Sequence, residues 1–513
     1  MVSILDLLLS ASLGCYVVAS ILLLVYGINA YVMIGLYWRS RQRRQAEERE
    51  ILARFKANHT DADLPIVTTQ LPIFNEQNVI ERLLRAVCAF DYPTDKHEIQ
   101  VLDDSTDETT KIVAKLVADL QADGHDIHHI HRSDRTGYKA GALAVGLQHA
   151  RGECTAVFDA DFVPPPDFLR RTVPFLLEDP QCGFVQTRWG HRNRDFSMLT
   201  LLQSIGIDGH FVVEQSARSW NNLFCNFNGT AGLWRIKTIE AAGGWRADTL
   251  TEDLDLSYRA ILAGWQPRFL RDVITPAEIP TNINALKSQQ RRWAKGSIQT
   301  AMKLLPIVLR DRHIRLFKKI QATIHLTHYM IHPLILVMTL LVLPLIHLLQ
   351  IRFTSPFTAP LVGVMLLALF GPSSLYIFSQ FAAGQNWKRA LLAMPALVAL
   401  GIGLAVNNSR AVLEAFLGRE SEFVRTPKLG FLAESSHKNT GDTKPDCKAY
   451  RQPLSRLYLL EIFMGAWALA SFIGYLTLIG SLAGALLLVQ AIGFTYVGVV
   501  SVKHHRYAGK LGC

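Results

Sequence analysis

Between positions 13 and 38 the chain is almost free of charge, and Arg39, Arg41, Arg43 and Arg44 follow at once. A spanning helix needs about 20 apolar residues, and flanking Arg or Lys marks its cytoplasmic side. The run is too long for a cleaved leader, and its basic cluster lies on the wrong side for one. A retained anchor with its amino terminus outside is therefore expected. Later blocks at 324–349, 360–381, 457–479 and 482–502 are candidate spans of the same kind. A further apolar segment, 390–406, disturbs the count. If it crossed fully, the loop 410–456, with Arg419, Arg425, Lys428, Lys444 and Arg451, would fall outside. The positive-inside rule places that loop in the cytoplasm, so 390–406 is expected to be interfacial or re-entrant.

The 513 residues leave room for a soluble domain of ordinary size beside the membrane part. The net charge of +10 suits juxtamembrane clusters facing anionic lipid and a basic site for an anionic substrate. Nucleic acid is not an expected partner, because the basic residues flank membrane segments and form no separate arm. Seven cysteines are scattered with no C-x-x-C spacing, which reads as reduced, structural thiols. His125, His128, His129 and His131 cluster near a loop–strand junction without a matched carboxylate spacing, which argues against a metal site there.

From 61 to about 277 the pattern changes. Short β-rich runs (65–71, 99–102, 127–131) alternate with helical ones (78–89, 109–121, 140–150). Strands alternating with helices at this spacing predict a mostly parallel α/β sheet. A buried strand over 156–158 runs straight into Asp159-Ala-Asp161. Residues two apart on an extended segment face the same side, so both carboxylates can meet one cation at the carboxyl end of a sheet. Oxygen ligands of this kind suit Mg²⁺ or Mn²⁺ with substrate phosphates as partners. A strand end followed by a polar turn is the plainer alternative. Another strand ends at Asp103-Asp104-Ser105, where a carboxylate can accept from a base or ribose, or cap a helix.

Further along, Arg135-Thr-Gly137-Tyr-Lys139-Ala-Gly141 sets two glycines around a lysine at a helix start, a place where phosphate can approach. Asn226-Phe-Asn228-Gly229-Thr230-Ala-Gly232 is a small-residue turn beside aromatics, suited to a sugar rim or to an ordinary loop. Glu252 and Asp253 open a helix, where acidic residues are stabilising in any case, by about 0.3–1 kcal/mol. Gln289-Gln-Arg-Arg292-Trp293 lies on an amphipathic basic stretch reaching Lys319, the pattern of a helix at a membrane surface.

Taken in order, Asp103, Asp159-Ala-Asp161, Thr251-Glu252-Asp253 and Gln289-Gln-Arg-Arg292-Trp293 resemble the D…DxD…TED…QxxRW series of inverting family-2 glycosyltransferases of the cellulose synthase-like kind. The strings RTGYKAGAL, FNGTAGLWR and QQRRW are most similar to the mannan and glucomannan synthase-like branch and its bacterial relatives. Glu422 to Gly430, EFVRTPKLG, resembles the gating loop of cellulose synthases. The resemblance spans about 65–430 and the flanking membrane helices.

It implies a GT-A-like α/β catalytic domain, 61–280, inserted between membrane helices. Around it lie an anchor at 1–60, interfacial helices with the QxxRW motif at 281–323 and spans at 324–382. The re-entrant segment and gating-like loop occupy 383–456, and a final hairpin 457–513. By the same resemblance Asp253 is the catalytic base and Asp161, with Asp159, holds Mg²⁺ or Mn²⁺. Asp103, Lys139 and Arg292 serve the nucleotide and diphosphate, Trp293 and Glu252 the acceptor, and Thr426 and Lys428 the gating loop. The implied activity is a membrane synthase that extends a β-linked polysaccharide from UDP-glucose or GDP-mannose in the cytosol and passes it across the bilayer. A non-processive enzyme glycosylating a membrane lipid is the alternative. A transporter or scaffold with a decayed site is disfavoured by the intact acidic series.

Overall fold

The computed structural model describes residues 4–349, 358–421, 454–479 and 484–508. It opens with α1, Ile4–Asn58. The helix continues well beyond the arginine cluster, because residues 39–58 are rich in Arg, Glu, Ala and Gln and contain no Gly or Pro. That polar half is fastened to the soluble domain. Arg44 donates to the Trp220 carbonyl oxygen at 3.0 and 2.8 Å, and Glu47 accepts from Arg268 at 2.6 Å.

The domain that follows runs β1 (Val67–Ile73), α2 (Ile80–Cys88), β2 (His97–Asp103), α3 (Thr109–Ala122), β3 (Asp126–His131), α4 (Tyr138–His149) and β4 (Cys154–Val157). It continues with α5 (Phe168–Glu178), β5 (Cys182–His191), α6 (Met198–Asp208), α7 (Gln215–Trp220), β6 (Gly232–Arg235), α8 (Ile236–Ala241), α9 (Glu252–Leu262) and β7 (Gln266–Ala277). The sheet order is β3-β2-β1-β4-β6-β5-β7. Leu83, Val113, Phe168 and Leu176 bury one face, while Leu143, Ile239 and Leu256 cover the other. Helices on both faces bury the central strands, the polar Thr68, Thr69 and Gln70 of β1 included.

The sheet is mixed rather than nearly all parallel. β1, β2, β3 and β4 are parallel neighbours, as are β5 and β7, but β6 runs antiparallel to both β4 and β5. Four residues are too few to reveal a direction from side-chain pattern. Because β2, β1 and β4 lie side by side, their carboxyl ends make one rim, the crevice where open α/β sheets hold ligands.

The remaining helices are α10 (Ile283–Arg310), α11 (Leu316–Thr327), α12 (Ile331–Leu349), α13 (Thr358–Ala382), α14 (Trp387–Gly403), α15 (Ala405–Phe416), α16 (Leu457–Ile479) and α17 (Ala485–Ala508). The basic stretch 289–319 is thus parts of two helices, not one. Among the described residues, five stretches are long and apolar enough to cross a membrane: Leu7–Asn58, Leu316–Ile346, Trp387–Phe416, Leu457–Leu478 and Ala485–Arg506. The segment 390–406 falls within the third, so length and composition permit a crossing there. Yet 61% of its most apolar window is packed inside the protein, which leaves little of it for lipid.

Buried polar contacts hold these helices to one another and to the sheet domain. Lys287 of α10 pairs with Glu461 of α16 at 2.6 Å. Asp208 at the end of α6 accepts from Gln380 of α13 at 2.9 Å and pairs with His191 at 3.1 Å and Arg194 at 3.3 Å.

Candidate active site

The rim opens on a cavity of about 180 Å³. Asp159, Asp161, Glu252, Asp253, Lys139, Arg292 and Trp293 all line it, so the structure brings together seven of the residues singled out in the sequence. They come from four places in the chain, and each is positioned by a local cause.

Asp159 and Asp161 follow β4 directly. The Asp159 N–H donates to Thr230 Oγ at 2.9 Å, which pins the turn against the small-residue loop before β6. Lys139, in the first turn of α4, donates to Asp159 Oδ1 at 2.6 Å and to the Gly229 carbonyl at 2.7 Å. Burial opposes the ammonium, but the charges of Asp159, Glu252 and Asp253 outweigh it and raise the Lys139 pKa. Gly229 sits at φ +78°, and a Cβ there would stand 3.0 Å from Asp253 Oδ2 and 3.4 Å from Lys139 Nζ. Only glycine lets this loop close over the lysine and the carboxylate.

Asp253 is the second residue of α9, and its Oδ1 accepts the Leu254 N–H at 2.8 Å. Burial pushes its pKa up, the Glu252 carboxylate adds to this, and Lys139 pulls the other way, leaving it near about 7. A carboxylate tuned to neutrality is what a general base at neutral pH requires. α10 lies across this turn so closely that a Cβ at Gly296 would meet Thr251 Cγ2 at 2.6 Å. Leu250 N also donates to Gln299 Oε1 at 3.0 Å. Gln289, Arg292 and Trp293, three and four residues apart, share one face of α10 and point it at the carboxylates. Burial lowers the Arg292 pKa against the opposing field of Glu252, Asp159, Asp253 and Asp161. Trp293 also packs against a cluster containing Tyr329 and Ala411 and Val412 of α15, so the cavity wall here is continuous with the helical bundle.

The donor set at Asp159 and Asp161 is all carboxylate oxygen at a strand end, beside the half-buried Arg292. That chemistry fits a hard divalent ion such as Mg²⁺ or Mn²⁺ with a diphosphate as its other partner.

Asp103 is placed differently from the others. It ends β2 but is fully buried and does not line the cavity. Its Oδ1 accepts the Ser105 N–H at 2.8 Å, and its Oδ2 faces His129 Nε2 at 2.9 Å and His131 Nδ1 at 3.3 Å. Burial would raise its pKa, but the hydrogen bonds from His129 and Ser105 outweigh it and hold it down at about 2. Its neighbour Asp104 lines the cavity instead and is held by Arg132 through two bonds of 2.7 and 2.6 Å.

Two further lining groups carry no role assigned from the sequence. Arg135 lies 3.4 Å over the Phe74 ring, joining the β1 end to the Gly137 turn, and only the folded register brings them together. Trp189 enters from β5. Thr426 and Lys428 lie outside the described residues. Lys295 of α10 contacts the Arg419 carbonyl and the Ser421 hydroxyl just before that segment.

Residues 65–296 match the family model described as "Glycosyltransferase like family 2". The chain is 34% identical over 462 residues to glucomannan 4-beta-mannosyltransferase 2 of Arabidopsis thaliana, covering 86% of this chain and 81% of that one. It is 32% identical over 523 residues to probable glucomannan 4-beta-mannosyltransferase 9 of Oryza sativa subsp. japonica, covering 96% and 93%. Among solved structures, it is similar to mannosyltransferase PcManGT from Pyrobaculum calidifontis in complex with GDP-Man and Mn²⁺. That match has 23% identity and a TM-score of 0.48, covering 79% of this chain and 99% of that one.

Proposed function

Since the chain belongs to glycosyltransferase family 2, with the glucomannan 4-beta-mannosyltransferases as relatives, we propose that it polymerises a β-mannan or glucomannan from GDP-mannose. It is a nucleotide-sugar-dependent hexosyltransferase of polysaccharide synthesis, held in the membrane by long apolar helices. GDP-mannose is preferred to UDP-glucose because the relatives are named for mannosyl transfer.

The observation that carries the reading is the convergence of Asp253, its pKa near about 7, with Arg292 and the Lys139–Asp159 pair in one cavity. Asp253 takes the proton of an acceptor sugar hydroxyl, whose oxygen forms a new bond to C1 of the donor sugar. The bond from C1 to the diphosphate oxygen breaks on the opposite face, so the anomeric configuration inverts. Arg292 and Lys139 hold the leaving diphosphate and offset the charge that grows on it. Asp161 and Asp159 would hold a Mg²⁺ or Mn²⁺, which would add charge neutralisation there. Trp293 offers a flat apolar face to the acceptor ring, with Glu252 beside it. Asp103, beside the lining Asp104 at the end of β2, is assigned to the nucleotide, a contact that requires its buried carboxylate to turn from His129 and His131 toward the rim.

The catalytic domain, 61–280, faces the cytosol in this reading, because the arginines after position 38 mark that side of α1. Trp293 stands where the cavity meets α15, which supports passage of the growing chain into the bundle rather than release of a one-sugar lipid. Thr426 and Lys428 are assigned to the gating loop of this reading by sequence resemblance alone.

The test is Asp253→Asn in purified protein with GDP-mannose and Mg²⁺ or Mn²⁺. Transfer is expected to fall by roughly 10²–10⁴-fold, the usual contribution of a positioned base, with nucleotide affinity nearly unchanged. Near-normal turnover would remove Asp253 from the role of base.

A further inference from the structure

We propose that Asp103, His129 and His131 form a second metal site, selective for a transition ion such as Zn²⁺, whose occupation competes with nucleotide binding. The second half rests on Asp103 contacting the nucleotide; the site itself does not.

The fold builds the triad. His129 and His131 are alternate residues of β3, so their rings fall on one face of the edge strand, while His128 turns the other way onto Asp126 at 2.8 Å. In the parallel ladder Asp103 is the register partner of His131. Asp103 Oδ2 therefore lies 2.9 Å from His129 Nε2 and 3.3 Å from His131 Nδ1, and the three ligand atoms are all within 4.8 Å of one another. Zinc ligands stand about 2.0–2.2 Å from the ion, which places tetrahedral neighbours roughly 3.3 Å apart. Small rotations of two imidazoles reach that arrangement.

The backbone around Asp103 is already fixed. Its Oδ1 takes the Ser105 N–H and its carbonyl takes the Arg132 N–H at 2.9 Å, so the carboxylate is oriented as supported metal ligands are. Access is graded: the Asp103 side chain is buried, His129 is 16% exposed and His131 42% exposed. An ion enters past His131, and solvent supplies the remaining ligand. Two imidazoles and one carboxylate favour zinc and its neighbours over Mg²⁺ or Mn²⁺, whereas the all-oxygen pair Asp159 and Asp161 has the opposite preference. The two sites thus sort metals by donor type, one serving the diphosphate and the other withdrawing Asp103.

The experiment uses the untagged full chain in nanodiscs, titrated with Zn²⁺ in excess Mg²⁺. One saturable equivalent is expected, weakened at least about tenfold by His131→Gln and by His129→Asn and unchanged by His128→Gln. GDP affinity, measured alongside, should fall as zinc rises in wild type and become insensitive to zinc in His131→Gln. The absence of a saturable equivalent, or one that survives both histidine variants, overturns the site. Zinc bound through both histidines with GDP affinity unmoved keeps the site and overturns the competition, and with it the nucleotide contact assigned to Asp103.

Discussion

Lys139 Nζ stands 2.6 Å from Asp159 Oδ1 and reaches the Gly229 carbonyl at 2.7 Å, so one ammonium joins the turn after β4 to the small-residue loop. Its charge also lowers the pKa of Asp253, against burial and Glu252, which raise it. In the proposed mechanism the lysine is therefore both a diphosphate ligand and a brake on the base.

That double role has a sign. Asp253 works as a carboxylate, so transfer should rise with pH through about 7. Lys139→Met removes a charge that lowers this pKa, and the acidic limb of kcat/KM should move to higher pH, with a fall in kcat as well. Glu252→Gln removes a charge that raises it, and the limb should move to lower pH. pH–rate profiles of the two variants decide the matter. Shifts in the same direction would show that the limb does not belong to Asp253.

Gly229→Ala should disable the site without unfolding the domain. The residue is left-handed at φ +78°, where an L side chain costs roughly 1–2 kcal/mol, and its Cβ would press on the Asp253 carboxylate at 3.0 Å. Transfer should fall at least about tenfold while the melting temperature drops by only a few degrees. Wild-type activity in this variant would mean that the loop is free to move away from Asp253.

The ion pair between Lys287 and Glu461 is buried on both sides, 6% and 0% exposed. Removing one partner leaves a charge stranded, a loss of about 3–5 kcal/mol, whereas replacing both with apolar residues is often close to neutral. Lys287→Met should therefore lower Tm strongly, and Lys287→Met with Glu461→Leu should recover most of it. An equal loss in the double variant would show that the stranded Glu461 charge is not what destabilises the single variant.

Much of this was legible before any coordinates. Alternation of short β-rich runs with helical ones placed β1 to β4 and their helices within a few residues. The acidic turns were legible as chemistry, since Asp159, Asp161 and Asp253 end or begin elements at their carboxyl rims. What failed depends on register and tertiary contact. β6 is too short to show that it runs antiparallel. His129 and His131 lie 26 and 28 positions from Asp103, so no spacing rule linked them. The stacking of Arg135 on Phe74 has the same origin. In the membrane part, hydropathy cannot tell lipid from protein as the partner of 390–406, because both solvate apolar side chains equally well.

The most direct test of the central claim is the size and composition of the product made by the purified chain from radiolabelled GDP-mannose, with UDP-glucose in parallel. Trp293, at the wall shared by the cavity and α15, is the residue proposed to hold an acceptor chain between additions. The account predicts a high-molecular-weight product from GDP-mannose that endo-β-mannanase degrades, and that Trp293→Ala shortens it while sparing donor hydrolysis. A product consisting only of lipid bearing one or two sugars, or polymer from UDP-glucose alone, would contradict it.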